Sequence, residues 1–283
     1  MKLIKIVLLL LLLAVVGYQA KAYNNNPNRG NSGNEPIISS EADEIQIPCQ
    51  YTKEDLLQGL SAYDVEDGYI TDKILIGGFS DFTERGVSSL EYAIYDKDDN
   101  IAIFNRKVVF SDYTPPKIEV SEPCVFKPTS GTYDVSSLNL KATDKLDGDI
   151  SKHILVNGED IDFSEPGKYI ASAYVKNSFG DEVTMNLPIH VLEPGISGYI
   201  IELKKPMIYV NKGADINPEN CIAAIRNEYS NEIVPKNKYK LTINSNVDTS
   251  KDGIYEIKFS AISLDKAQRG ETWMIVVVGN YGG

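Results

Sequence analysis

The chain has 283 residues, a formal net charge of −12 and a hydrophobic content of 42%. That hydrophobic content is enough for packed cores and excludes a globally disordered chain. The acidic surface repels phosphate backbones and therefore argues against nucleic-acid binding. Seventeen Tyr residues, together with frequent Ile and Val, favour strands over helices.

The first 22 residues have the pattern of an export signal. A short basic segment precedes an unbroken apolar run from Ile6 to Val16, and Ala20-Lys21-Ala22 fits a signal peptidase site. The run is shorter than the ~20 residues that a spanning helix needs, which favours a cleaved signal peptide over the alternative, an uncleaved membrane anchor. In both cases the rest of the chain is exported and meets the membrane only through this segment.

A disordered tether is predicted at residues 23–44. Its first part, residues 23–36, contains one aromatic and no aliphatic residue. Such a stretch cannot bury enough apolar surface to offset the entropy lost on ordering.

The chain repeats itself from residue 45 onward. Ala62–Thr71 aligns with Ala142–Ser151 in the frame Ala-x-Asp-x-x-Asp-Gly-x-Ile-(Ser/Thr), and Ile161–Tyr169 aligns with Val247–Tyr255. A period of roughly 80 residues is too long for a solenoid and suits small independent domains. We therefore predict three domains, which we name module one (45–114), module two (115–193) and module three (194–283).

The secondary-structure pattern of the modules is almost entirely β. Period-two alternation predicts strands at Lys168–Val175 and Tyr255–Ala261, and the continuous apolar run Trp273–Val278 predicts a final core strand. Short helical segments are predicted at Lys53–Gly59 and Pro218–Arg226. Short strands at regular spacing, with turn residues between them, favour an all-β fold of tandem Greek-key sandwiches.

These repeats resemble the bacterial surface immunoglobulin-like repeats, a family also found in some pesticidal crystal toxins. The resemblance covers residues 45–283 and is strongest in module two, while Val247–Tyr255 matches the family segment Val-Asp-Thr-Ser-x-x-Gly-x-Tyr most closely. Module three lacks the acidic Ala-x-Asp frame. The resemblance implies three tandem immunoglobulin-like β-sandwich domains and a role in surface display, adhesion or spacing, with no reaction attached.

Asp144, Asp147 and Asp149 are the most tempting cation site, because Ca²⁺ prefers oxygen ligands. The same residues are also what a tight turn needs, since Asp caps backbone amides and Gly supplies a positive φ. Two or three carboxylates fall short of the usual six to eight ligands. We therefore predict a turn without metal or cofactor, with Ca²⁺ binding as the alternative.

Other reactive side chains give no sign of catalysis. His153 and His190 lack the Cys or His neighbours of a zinc site, and the sequence contains no nucleophile elbow, His-Glu-x-x-His helix or phosphate-binding Gly loop. Cys49 and Cys124 occupy equivalent positions in different modules, farther apart than a disulfide permits, so these two and Cys221 are predicted to be free thiols. The sequence thus predicts a protein that is not an enzyme.

The predicted function is that of a non-enzymatic extracytoplasmic surface protein, secreted or anchored to the outer face of the cytoplasmic membrane. It would serve as a stalk, spacer or adhesion module, with an unidentified protein or glycan at the cell surface as its partner. The alternative is a glycan-binding accessory module of a cell-envelope or polysaccharide-handling system. The residues that could stack on sugars or partner side chains are Tyr63, Tyr69, Tyr113 and Trp273, with core packing as the other explanation for Trp273.

The glycine of the repeated Gly-x-Tyr segment is a candidate for special backbone geometry. Gly167 and Gly253 both precede a predicted core strand. We expect a positive φ at Gly253, which would make a β-branched replacement costly.

Overall fold

The computed structural model describes residues 35–128 and 133–281. The prediction of an all-β fold is confirmed, with 51% of the residues in strands. Module one contains strands β1 to β7, one α-helix and one 3-10 helix. Their bounds are β1 Ile37–Ser40, β2 Glu44–Ile47, α1 Lys53–Leu57, β3 Leu60–Asp64, β4 Gly68–Tyr69, the 3-10 helix Thr71–Lys73, β5 Leu75–Phe79, β6 Val87–Tyr95 and β7 Ile101–Phe110. Strand β1 precedes residue 45 but pairs with β3, so residues 37–44 are counted with module one from here on.

Modules two and three contain the remaining strands and four short 3-10 helices among the residues described. In module two the bounds are β8 Lys117–Val120, β9 Val125–Phe126, the 3-10 helix Val135–Ser137, β10 Leu140–Asp144, β11 Gly148–Asp149, the 3-10 helix Ser151–His153, β12 Leu155–Asn157, β13 Gly167–Lys176 and β14 Glu182–Val191. In module three they are β15 Tyr199–Leu203, β16 Met207–Asn211, the 3-10 helix Pro218–Cys221, β17 Ile222–Asn227, the 3-10 helix Lys236–Lys238, β18 Tyr239–Ser245, β19 Gly253–Ser263 and β20 Arg269–Gly279.

Every sheet takes its strands from one module, and each module has a smaller and a larger sheet. The smaller sheets have the orders β1-β3-β4, β11-β10-β8 and β15-β17, and the larger ones β2-β7-β6-β5, β12-β13-β14-β9 and β16-β20-β19-β18. In each larger sheet an early strand runs parallel to the last strand of the module, while the other pairs are antiparallel. Each module is therefore a two-layer β-sandwich.

The chain divides into two compact units. Unit 1 extends to Tyr113 and includes the turn Ser178–Asp181, and unit 2 consists of Thr114–Asn177 and Glu182–Gly283. In unit 1 this turn places Phe179 among Phe79, Phe82 and Phe110, with ring centroids 4.9 to 5.6 Å apart. Unit 2 contains both the second and the third sandwich, so the count of three domains stays a prediction.

Strand β20 explains how the two sandwiches of unit 2 join. Met274, Val276 and Val278 belong to the core of module three. Ile275 and Val277, on the opposite face of the strand, belong to a core cluster that is otherwise built mainly from module two. The apolar run that predicted a core strand is continuous because apolar clusters cover both faces of β20.

The predicted helices and the predicted tether are only partly correct. α1 forms where expected, with Thr52 and Asp55 in a capping box. The second predicted helix, Pro218–Arg226, is instead one 3-10 turn followed by β17, because Ile222–Asn227 pairs with β15. The tether prediction is wrong from Ile37 onward, since β1 pairs with β3 and buries Ile38.

Residues 1–34, with the predicted signal segment and most of the predicted tether, lie outside the described residues. Within the described ranges, no helix is long and apolar enough to cross a membrane.

The expectation of a positive φ at Gly253 is wrong, and the same holds for Gly167. Both glycines instead make room for the ring of the tyrosine two residues later. A Cβ atom at Gly253 would lie 3.1 Å from the ring of Tyr255, whose hydroxyl donates to the Lys251 carbonyl over 3.2 Å. Tyr169 has the same contact with Gly167. The Gly-x-Tyr motif is therefore a packing motif.

We expect Gly253→Val to lower the free energy of unfolding by about 1–2 kcal/mol, because the new side chain presses against the Tyr255 ring. Chemical denaturation measures this cost. In a Tyr255→Ala background the same valine should cost much less, since the ring is gone. An equal cost in both backgrounds would contradict the packing explanation.

Candidate functional site

The acidic turn of module two is held together by its own hydrogen bonds. Asp144 Oδ1 accepts from the amides of Leu146 and Asp147 over 2.8 and 3.0 Å, and its Oδ2 accepts from Asn177 Nδ2 over 3.2 Å. Asp149 accepts from the hydroxyl and the amide of Ser151, and these bonds lower the pKa of the Asp149 carboxyl. The described part of the chain holds no group of three His, Cys, Asp or Glu arranged for a metal ion. That Asp144, Asp147 and Asp149 form a turn without a bound cation stays a prediction.

The matching turn of module one sets the pairing of two neighbouring strands that carry exposed tyrosines. Asp64 Oδ1 accepts from the amides of Glu66 and Asp67 over 2.9 and 2.8 Å, and Gly68 closes the turn with a φ of +73°. This tight connection makes β3 and β4 an antiparallel hairpin in which Tyr63 lies directly opposite Tyr69. The turn chemistry that the sequence predicted thus aligns two of its candidate tyrosines.

Ile37, Tyr63 and Tyr69 form an exposed surface across three neighbouring strands, which we call the tyrosine surface. Ile37 in β1 is the register partner of Tyr63 in β3, which in turn pairs with Tyr69 in β4. The three residues are 63%, 45% and 83% exposed. The tyrosine ring centroids lie 5.3 Å apart with an interplanar angle of 69°. Exposed neighbouring apolar side chains of this kind mark interaction sites more often than isolated ones do.

Module two has the same backbone arrangement but different side chains. In its sheet Lys117 pairs with Thr143, which pairs with Asp149. These three residues occupy the positions of Ile37, Tyr63 and Tyr69. The sandwich therefore forms without aromatic residues at this place, and the tyrosine surface is a property of module one rather than a requirement of the fold.

Tyr113 and Trp273, the other predicted stacking residues, lie elsewhere. Tyr113 is half-buried in unit 1, with its ring 4.9 Å from that of Phe82 and its hydroxyl donating to Asp181 over 2.9 Å. Trp273 stacks on His190 in unit 2, with ring centroids 4.0 Å apart and planes 10° apart. Both have structural partners, so neither extends the tyrosine surface.

A buried polar cluster joins modules two and three. His190 of β14 pairs with Glu256 of β19, and Lys168 of β13 pairs with the other oxygen of the same carboxylate. The side chains of His190 and Glu256 are only 10% and 11% exposed. Lys258 Nζ lies over the Trp273 ring, 4.7 Å from its centroid. Sequence analysis missed this cluster, because its members belong to different modules.

Burial raises the pKa of the Glu256 carboxyl, but hydrogen bonds from His190 and Lys168 outweigh that effect and leave it below its ordinary value. The same carboxylate acts on Cys124, which is also buried. Burial and the charge of Glu256 together raise the pKa of the Cys124 thiol to about 12. Cys124 is therefore a neutral thiol and a poor nucleophile at neutral pH. Cys49, Cys124 and Cys221 form no disulfide within the described residues.

Two open grooves belong to modules two and three. The groove of module three has a volume of about 540 Å³ and includes Asp265, whose carboxylate accepts from the Ser263 hydroxyl and the Ala267 amide and so belongs to a turn. The groove of module two has a volume of about 600 Å³ and is lined by Tyr133, Phe163 and neighbouring residues. His153, the second histidine, is exposed at the end of its 3-10 helix and lines neither groove.

The fold places the chain among all-β proteins built from consecutive two-layer sandwiches. No family model matches it. Among curated proteins, the pesticidal crystal protein Cry22Aa of Bacillus thuringiensis is 29% identical over 174 residues, which is 59% of this chain and 22% of the toxin. The chain thus spans about a fifth of that relative.

Three solved structures match this chain with low TM-scores. The M60 catalytic domain with two CBM51 domains from Clostridium perfringens ZmpB has a TM-score of 0.23 at 13% identity, covering 87% of this chain and 31% of that one. Protocadherin gamma B2 domains 1–5 have a TM-score of 0.21 at 13% identity, covering 88% and 61%. The lipoprotein BT2262 of Bacteroides thetaiotaomicron has a TM-score of 0.21 at 13% identity, covering 85% and 98%. TM-scores this low support no inference about function.

Proposed function

We propose that the chain is a non-enzymatic extracytoplasmic protein of three tandem immunoglobulin-like domains that attaches to a cell-surface partner through module one. The tyrosine surface is the observation that carries this proposal. Its exposed rings cost solvation free energy that the matching residues of module two avoid. A contact that covers the rings offsets this cost. The export pattern at residues 1–22 supports a location outside the cytoplasm.

Two further observations support a binding role without catalysis. The carboxylates of the acidic turns are engaged in capping backbone amides, as Asp64 and Asp144 illustrate. The most buried thiol, Cys124, has a raised pKa. The two carboxylates are therefore committed to turn hydrogen bonds, and the Cys124 thiol is a poor nucleophile at neutral pH.

The proposal predicts surface exposure and tyrosine-dependent attachment. In intact bacteria producing the chain with a C-terminal epitope, external protease should remove the epitope while a cytoplasmic protein stays whole. The purified chain should bind cell-envelope fragments of the same bacterium. The double variant Tyr63→Thr and Tyr69→Asp, which installs the residues of module two, should weaken that binding at least about tenfold.

Tyr229→Thr is the matched control, because this tyrosine is 77% exposed and lies in unit 2, outside the tyrosine surface. It should bind like the wild type. An epitope that survives in intact cells would contradict the location. Binding that the double variant leaves unchanged would contradict the role of the tyrosine surface.

A further inference from the structure

The lack of charge on the strands of the tyrosine surface restricts the kind of ligand that it can bind. The exposed face of β1 and β3 consists of Ile37, Ser39, Ser61 and Tyr63, all uncharged, and Tyr69 continues it on β4. In the adjoining turn Lys97 lies 2.9 Å from Glu66 and 3.7 Å from Asp67, so it offsets one of their two negative charges. The strand residues of this face therefore offer a charged ligand no ion-pair partner, and the net charge of −12 disfavours an anionic ligand.

The size of the surface argues for a ligand smaller than a folded protein. The two tyrosine side chains together expose about 250 Å², given roughly 200 Å² for a full side chain. A stable protein interface needs about 800 Å² from each partner. The aromatic area is about a third of that amount. A ligand the width of a few sugar rings would cover it.

The geometry of the rings suits a pyranose. Tyr63 and Tyr69 meet at 69°, so their faces form a corner rather than a flat platform. A sugar ring has an apolar C–H face that packs on an aromatic ring and hydroxyls around its edge. The tyrosine hydroxyls can both donate and accept hydrogen bonds, and so can Ser39 and Ser61, which pair with each other on the same face.

We infer that the tyrosine surface binds a neutral polysaccharide, with one sugar ring in the corner between Tyr63 and Tyr69. This inference rests on the proposed function, because it names the chemical class of the partner that module one contacts. The serine pair extends the site along the strands toward a neighbouring sugar.

The test uses the chain as it is isolated from the cell envelope. It is incubated with insoluble chitin, cellulose and xylan, and the bound fraction is measured over a range of polymer concentrations. The wild-type chain should be retained by at least one of these polymers. Tyr63→Thr with Tyr69→Asp should weaken the retention at least about tenfold, and Tyr229→Thr should leave it unchanged. Tyr69→Ser alone serves as a milder second variant, since Tyr69 is the more exposed ring.

Two results would overturn the inference. One is retention by none of the polymers, and the other is retention that the double variant and Tyr69→Ser leave unchanged while both stay folded. A separate arm treats the cell-envelope fragments with protease before the chain is added. If this treatment abolishes a tyrosine-dependent attachment, the partner is a protein, and the glycan inference fails while the proposed function stands. If attachment never depended on the tyrosines, both fail.

Discussion

Replacing Glu256 with alanine should lower the free energy of unfolding of unit 2 by about 3 kcal/mol. Glu256 is the shared partner of His190 and Lys168 in a nearly buried cluster. Removing one member of a buried pair leaves the other uncompensated, which costs about 3–5 kcal/mol. The lower end applies here, because Lys168 is half exposed and can return to water. Urea denaturation followed by the fluorescence of Trp273, the single tryptophan, measures the effect.

The effect of Glu256 also has a pH dependence of known sign. The pKa of its carboxyl is lowered in the folded state. A depressed carboxyl pKa contributes stability that is present above the unfolded pKa of about 4.3 and is lost as the pH falls through the folded value. The difference between wild type and variant should therefore be steady above about pH 5 and narrow on further acidification.

Asp252→Ala provides the control for this prediction. Asp252 also belongs to module three, but its ion pair with Lys212 is exposed. Its removal should change the stability by less than about 1 kcal/mol. A Glu256→Ala cost no larger than that of Asp252→Ala, or a difference that grows on acidification, would show that the buried cluster contributes nothing to unit 2.

Ile275→Ala should destabilise modules two and three together, by about 2–5 kcal/mol. Ile275 is 2% exposed and belongs to the core cluster that joins the two sandwiches. A cavity there weakens packing on both sides of β20. Trp273 fluorescence reports on module three and on its contact with His190, and hydrogen exchange of the β13 amides reports on module two. Both probes should report the same decrease in the free energy of unfolding.

Ile233→Ala serves as the comparison, since Ile233 lies in the same unit but is largely exposed. It should leave both probes nearly unchanged. If Ile275→Ala shifts the fluorescence transition but not the exchange of the β13 amides, the two sandwiches unfold independently. In that case the predicted three-domain division would describe the energetics of the chain better than two compact units do.

The turn before Tyr69 shows how much the sequence could determine about the candidate site. Asp64 and Gly68 form the turn that their residue types predict, because capping and positive φ are local properties. The length of that turn then sets Tyr63 opposite Tyr69. The sequence named both tyrosines. Their common exposure, and the place of Ile37 beside them, depended on the pairing of β1, which lies within the predicted tether.

Gly253 shows what the repeated motif could not explain about the structure. The Gly-x-Tyr motif was visible in two modules, and its importance was predicted for the wrong reason. A positive φ is a backbone property that sequence analysis commonly assigns to glycine. The actual cause is the ring of Tyr255 lying against the glycine. Such a contact depends on the side-chain rotamer, which the motif does not specify.

The sequence by itself determined the all-β class, the repeated turns and the apolar run of β20, because these depend on residue type and spacing within a few positions. It did not determine what covers the second face of that strand. Ile275 faces a cluster of module two, and Glu256 meets His190 across 66 positions of the chain. Contacts between modules depend on how two finished sandwiches meet, and no local pattern specifies that arrangement. Only the tertiary structure therefore showed that modules two and three share a core.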